Sequence, residues 1–302
     1  MKKELNDVIF IINPISGPIK RPDKLISLIN DFWKNSGVKY CIKKTDHRGH
    51  AIELAKEAVV KKVDMVVAVG GDGTINEIGR GLVGSDTALG VIPTGSGNGF
   101  ARNFGIPLQI KSATKSVINP CFRKIDVGKI NGHHFLNVAG IGLDAEISAH
   151  FDRFGFRGPL PYFIVGLQQF FKYKPETMTL ALNNNHKIEC QPMLLSIANA
   201  PQFGNGAIIA PNAIPDDGLL DICILSRVSS IKAISNIKKL FDGTIDQVDE
   251  MKIFQSPGVL INRKREGYIH TDGDPHFETP NIVIEVLNKS LIIAVPKNNG
   301  VE

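Results

Sequence analysis

Apolar and polar residues alternate in two different ways along this chain, and the change falls near residue 126. In the first stretch, compact apolar runs are followed by segments with helical spacing. Asp7–Asn13 reads as a buried strand that ends in a turn by composition, Asn13-Pro14-Ile15-Ser16-Gly17. Over Pro22–Asn35, Leu25, Ile26, Leu28, Ile29 and Phe32 recur at helical spacing, and Pro22 suits a first turn. Strands over Val38–Thr45, Met65–Val69 and Ala88–Pro93 then alternate with helices over His50–Lys61, Ile75–Leu82 and Gly97–Phe104. Repeated strand–helix alternation predicts an α/β domain with a parallel sheet.

Beyond that point short strand patterns dominate. They cover Lys124–Ile130, His134–Ala139, Met178–Leu182, Pro192–Ala198, Leu219–Leu225, Gly267–Thr271, Ile282–Leu287 and Leu291–Val295. Turn signals separate them, among them Asn183-Asn184-Asn185 and Asn288-Lys289. Helical patterns interrupt at Gly158–Lys172 and Val228–Asp242. The expected organisation is an α/β domain over residues 1–125 and an antiparallel β-rich domain over 126–289.

Composition narrows the class. With 302 residues, 43% hydrophobic and 22% charged, the chain suits globular domains rather than disorder. The net charge of +5 is mild, and no basic block with interleaved aromatics points to nucleic acid. No apolar run approaches the roughly eighteen residues of a membrane span. The opening MKKELND lacks an apolar signal core, so a cytoplasmic location is expected. The four cysteines form no CxxC pair, which favours free thiols over zinc or a disulfide framework. None of the eight histidines has metal-ligand spacing.

The strongest chemical signal is Gly70-Gly71-Asp72-Gly73-Thr74, directly after an apolar strand and before a helix with Asn76 and Glu77. Glycines at a strand end let backbone N–H groups approach a phosphate, and the following helix N-terminus favours an anion. The charge of Asp72 then makes sense beside a metal ion or a reacting hydroxyl. A second glycine-rich turn, Pro93-Thr94-Gly95-Ser96-Gly97-Asn98-Gly99, follows the next strand. In a parallel sheet neighbouring strand ends converge on one crevice. Asn13 to Gly17 and Thr45 add polar groups at the first two strand ends. Each taken alone is an ordinary turn or cap; together they suggest one nucleotide site. Neither a P-loop nor a dinucleotide fingerprint is present.

The ordered set NPISG at 13–17, TDHRGHA at 45–51, GGDGTINE at 70–77 and GSGNGFAR at 95–102 resembles the diacylglycerol kinase catalytic family, which includes sphingosine kinases and bacterial lipid kinases. KIDVG at 124–128, NVAGIGLDA at 137–145, APNAIPDDGLLD at 210–221 and HTDGD at 270–274 extend the resemblance over nearly the whole chain. It implies a three-layer α/β domain, a C-terminal β sandwich, ATP in the cleft between them, and a last strand, about 290–302, returning to the first domain. The nucleotide role falls on Asn13, Pro14, Ser16, Gly17, Thr45, Gly70, Gly71, Asp72, Gly73, Thr74, Ile75, Asn76, Glu77, Gly95, Ser96, Gly97 and Asn98.

The resemblance also implies a structural Mg²⁺ held by Asp217 and the carbonyls of Ile214 and Leu219. The proton acceptor falls on Asp274, where the family ordinarily has glutamate, with Asp272 and Asp72 as alternative bases. Asn98-Gly99 replaces the Asn-Asp of many bacterial members, nearer the sphingosine-kinase style. The implied activity is ATP-dependent phosphorylation of a lipid hydroxyl at the membrane surface, with diacylglycerol or a sphingoid base as acceptor. Homodimers occur in the family. The alternatives are an NAD kinase, which shares GGDGT, and a non-catalytic nucleotide- or lipid-binding protein. Phe151–Tyr173 carries six phenylalanines and two tyrosines beside basic residues, which suits either a membrane surface or core packing.

Overall fold

A computed structural model describes residues 4–15, 22–154, 172–183 and 186–297. The chain divides into two compact units, Met1–Ile125 with Lys289–Glu302 and Asp126–Asn288.

The first unit is built on strands β1 (Asp7–Ile12), β2 (Lys39–Lys44), β3 (Met65–Gly70) and β4 (Ala88–Pro93). They pair in parallel in the order β2-β1-β3-β4, and the end of the C-terminal strand Asn281–Val295 joins beside β4, with Ile293 opposite Leu89. Every residue of β3 and β4 is buried, as expected of central parallel strands covered on both faces. The edge strand β2 alternates exposed and half-buried positions. Helices α1 (Pro22–Trp33), α2 (His50–Val60), α3 (Asp72–Leu82), α4 (Gly99–Asn103) and α5 (Ile110–Ser116) connect the strands. The amphipathic α1 buries Leu25, Ile29 and Trp33, and Trp33 meets Phe10 edge-on with ring centroids 5.0 Å apart.

Strand β5 (Cys121–Ile130) runs from the first unit into the second, which continues with β6 (His133–Phe135), β7 (Val138–Gly142), α6 (Leu143–Phe154), β8 (Met178–Leu182), β9 (Lys187–Cys190) and β10 (Pro192–Ala198). The short β11 (Gln202–Gly204) and β12 (Ala207–Ile208) precede β13 (Leu220–Ser226) and α7 (Ser230–Asp242). Then come β14 (Met251–Ser256), β15 (Gly258–Arg263), β16 (Gly267–Thr271), β17 (Asp274–Glu278) and β18 (Asn281–Val295). One antiparallel sheet runs β14-β13-β10-β7-β16-β17, and the start of β18 pairs with β15, which continues to β8 and β9. Ile141, Leu195, Ile197, Ile222 and Ile269 from the first sheet share one core with Leu180, Ile261 and Ile284 from the second. This is a β sandwich.

The strand patterns and the α/β-plus-sandwich class hold, with three corrections. Helix α3 begins at Asp72, not Ile75, because its first turn is polar and invisible to apolar periodicity. The run expected as one strand over His134–Ala139 is split between β6 and β7. Asn288-Lys289 does not separate two strands: β18 passes straight through, with a local kink at Lys289 (φ 48°). The helix expected over 158–172 lies outside the described residues, apart from Lys172.

Candidate active site

Strand β1 has β2 on one side and β3 on the other, so the chain reverses its direction of winding between β1 and β3. In such sheets the crevice beyond the strands' carboxyl ends is the preferred ligand site. Backbone bonds lock those ends in a row: Thr45 N donates to Ile12 O at 2.9 Å, Asn13 N to Val69 O at 3.1 Å, and Thr94 N to Gly70 O at 2.8 Å. Asn13 donates through Nδ2 to Thr74 Oγ1 at 3.1 Å, joining the first strand end to the GGDGT turn. Glu77 accepts from Gly49 N at 3.3 Å, so the loop after Thr45 is stitched to α3 as well.

The two glycine-rich turns touch through their backbones. A Cβ on Gly95 would lie 2.7 Å from Gly71 Cα, so any side chain there would force the turns apart. Asn98 takes a left-handed conformation (φ 49°) and donates to Gly95 O at 2.9 Å, closing the second turn just before α4. Asp72 accepts from Phe100 N at 3.1 Å. Burial pushes its carboxyl above the ordinary aspartate value, while the amides of Phe100, Gly99 and Asn98 pull the other way. The sequence suggested that this charge faces a metal ion or a reacting hydroxyl; the N-terminus of α4 is a third partner. Asn76 and Asn98 are buried, and their Oδ1 atoms have no hydrogen-bond partner among the described residues. An orphaned Oδ1 accepts, so it calls for a hydrogen-bond donor or a cation, while the glycine backbone N–H groups and the helix N-terminus are what suit an anionic group such as a polyphosphate. Ser16 and Gly17 lie outside the described residues.

In the second unit β16 and β17 form a hairpin, with Thr271 opposite Asp274. Its two-residue loop is Asp272-Gly273, with φ values of 49° and 89°, as a type I′ turn requires. The Asp272 carboxylate accepts from Leu136 N at 2.7 Å, Asn137 N at 2.9 Å and Val138 N at 3.0 Å. Its own N–H donates to Val138 O at 2.9 Å. Burial pushes the carboxyl up to about 6, with the three amides pulling it back down. Asp272 therefore clamps the hairpin tip onto β7, and the half-buried Asp274 begins the outgoing strand.

Three residues without a role in the sequence support this tip. His270 is 4% exposed, accepts from Gly273 N through Nδ1 at 3.3 Å, and faces Asp144 Oδ2 with Nε2 at 3.3 Å. An accepting Nδ1 puts the neutral ring's proton on Nε2, where it donates to Asp144. Ser196 donates to the same Asp144 oxygen at 3.2 Å. Asp144 stands in the NVAGIGLDA segment, but only the fold brings it beneath the hairpin.

The Asp216-Asp217-Gly218 turn is laced to the sandwich by Asp126, whose side chain accepts from Gly218 N at 2.7 Å and whose N–H donates to Pro215 O at 2.7 Å. Asp217 is exposed and caps Leu219 N at 2.9 Å. Behind it Asp221 is buried, and burial, with the Asp217 charge adding to it, pushes its carboxyl up to about 6. The exposed Asp217 carboxylate is a hard oxygen ligand of the kind Mg²⁺ accepts, as are the backbone carbonyls of a turn such as this one.

An open parallel sheet with paired glycine-rich turns is followed in the same chain by a β sandwich bearing a hairpin carboxylate, and the relatives of this chain make it a kinase. Residues 7–130 match the diacylglycerol kinase catalytic domain, and residues 137–295 match the YegS C-terminal NAD kinase beta sandwich-like domain. The chain belongs to the diacylglycerol kinase catalytic-domain family. It is 29% identical over 297 residues to the diacylglycerol kinase of Bacillus subtilis (strain 168), covering 96% of each chain. It is 32% identical over 247 residues to the "Probable lipid kinase YegS-like" of Klebsiella pneumoniae (strain 342), covering 80% of this chain and 82% of that one. A crystal structure assigned to the diacylglycerol kinases, from Bacillus anthracis str. Sterne, superposes with a TM-score of 0.80 at 25% identity, covering 98% and 99% of the two chains.

Proposed function

We propose that this protein transfers the γ-phosphoryl group of Mg·ATP to the hydroxyl of a membrane lipid, a diacylglycerol or a sphingoid base. The observation that carries the proposal is the backbone contact between the GGDGT and GSGN turns at adjacent parallel strand ends. This contact leaves glycine backbone and a helix N-terminus for the phosphates, with Asn13, Pro14, Thr45, Asn76 and Ser96 around them. Asp72 holds the second turn in place and adds charge beside the phosphates. Mg²⁺, when bound, offsets the charge that builds on the transferring group.

Asp274 takes the proton of the acceptor hydroxyl as its oxygen bonds to phosphorus and the bond from phosphorus to ADP breaks. A lipid hydroxyl is a weak nucleophile, so the base must be held accurately, and a misplacement of about 1 Å can cost about a hundredfold. The I′ turn, the Asp272 clamp and the His270–Asp144–Ser196 network supply that rigidity. Asp272 is then a positioning residue rather than the base. Asp217, with the carbonyls of Ile214 and Leu219, would hold a structural Mg²⁺. The enzyme works from the cytoplasm on the bilayer surface.

Extracted lipids, NAD and labelled ATP incubated with the purified protein test this directly. Label in a lipid product is the expected result. Label in NADP instead would make the protein an NAD kinase, and no transfer to any acceptor would leave a binding protein.

A further inference from the structure

Large apolar side chains on the surface concentrate on one helix. Ile231, Ile234, Ile237 and Phe241 are 83%, 65%, 44% and 53% exposed, and all four lie on α7. At about 100° per residue they fall in a single stripe about 120° wide along the helix. The stripe is not the helix's inward face: Leu240, on another side, packs against the cluster that contains Ala213, Val248 and Met251. The helix itself is firmly made. Ser229 caps its start by accepting from Lys232 N at 3.3 Å, and Gly243 closes its end in the left-handed region at φ 69°.

We infer that α7 is the surface by which this protein lies on an anionic phospholipid bilayer, with the stripe in the acyl–headgroup boundary. The inference rests on the lipid-kinase proposal, because an enzyme whose acceptor sits in a bilayer must meet that bilayer. Charge placement selects a bilayer over a second copy of the chain. Lys238, with its side chain 84% exposed, projects between the angles of Ile231 and Ile234, so a cation stands within the apolar stripe. Lysine is depleted from the cores of protein–protein interfaces. At a bilayer its stem lies along apolar surface while the ammonium reaches lipid phosphates. The helix carries Lys232, Lys238 and Lys239 against the single acid Asp242. Lys232 bonds Glu250 at 2.7 Å and Lys239 bonds Gln247 O at 3.3 Å, whereas Lys238 meets Asp242, one turn on, only at 3.8 Å and stays 84% exposed among the apolar residues.

The full-length protein, without ATP, is sedimented with phosphatidylcholine vesicles and with vesicles of phosphatidylcholine plus phosphatidylglycerol. Ile231→Ser/Ile234→Ser should lower vesicle partitioning by about tenfold or more, since each isoleucine removed from an apolar environment weakens binding by roughly that factor. Its melting temperature should stay at the wild-type value because both side chains face outward. Lys238→Glu should weaken binding to the anionic vesicles and leave binding to neutral ones unchanged. Val60→Ser, on the 82%-exposed Val60 of α2, is the control and should change nothing. Wild-type vesicle binding by the double variant overturns the inference. So does a wild-type dimer that the double variant splits, since the stripe would then be a contact between copies. Turnover of a short-chain, water-dispersed lipid is measured separately. Its absence with vesicle binding intact removes the lipid-kinase proposal and leaves the docking surface standing.

Discussion

Replacing Asp272 with asparagine separates the clamp from the chemistry. Two effects oppose each other at neutral pH. An ordinary aspartate titrates near 3.9, and in the fold Asp272 is raised to about 6. Holding it ionised therefore costs about 3 kcal/mol relative to a neutral group. Asparagine removes that cost but turns an NH₂ toward one of the three amides, and a buried donor without its acceptor costs about 1–3 kcal/mol. The terms nearly cancel, so at pH 7.5 the variant should melt within a few degrees of wild type. The pH dependence does not cancel. A raised folded value means that wild type gains stability as the pH falls, fully so below the unfolded value of about 3.9, and loses it as the pH rises through about 6. Between pH 7.5 and pH 4.5 wild type should gain about 2 kcal/mol on the variant. That corresponds to a change of about 4–8 °C in the gap between their melting temperatures, read by scanning fluorimetry. Turnover should stay within about tenfold of wild type, because the I′ turn keeps Asp274 in place. A melting gap identical at the two pH values would refute the proton linkage. A variant that melts normally but is inactive would make Asp272 the base.

Asp274→Ala should nearly abolish turnover with ATP binding intact by calorimetry, and Asp274→Glu should keep part of it; full activity in the alanine variant would move the base elsewhere. Asp72→Asn retains a carbonyl for Phe100 N, so melting should shift little while turnover falls by about two to four orders of magnitude; turnover within a few-fold of wild type would take Asp72 out of the chemistry. Asp217→Ala should abolish the rise in melting temperature that Mg²⁺ gives wild type, because a bound ion stabilises the folded state by mass action. An identical Mg²⁺ response in both proteins would count against Asp217 as a ligand.

The sequence by itself determined most of the strands, the change from strand–helix alternation to a β-rich region, and the chemistry of the strand ends. Apolar runs and turn residues act over a few positions, so Met65–Gly70 and Ala88–Pro93, with the glycine turns that follow them, are legible without the fold. The Asp272-Gly273 turn has a local signal of the same kind, a pair that accepts two left-handed conformations in succession. From the sequence, however, only the strand before it is placed, and Asp272 and Asp274 are read as chemistry. The membrane contact considered for 151–173 falls mostly on residues outside those described, and the exposed stripe of α7 had no sequence signal separating it from a buried face. An apolar period shows that a helix has an apolar side and is silent on what covers it.

The partners of the polar groups were decided only by tertiary structure. Asp272 finds its amides 134–136 residues away, His270 finds Asp144 at a separation of 126, and Asp126 reaches Gly218 across 92. No local rule relates such residues. The first two sets meet because the sandwich brings β7, β10 and β16 side by side, and buried carboxylates and imidazoles must be hydrogen-bonded there. The course of β18 follows the same logic. Asn288-Lys289 is a turn by composition, yet Ile282 and Ile284 are buried in one core and Ile292 and Ala294 in the other, and that burial on both sides of the kink keeps the strand continuous.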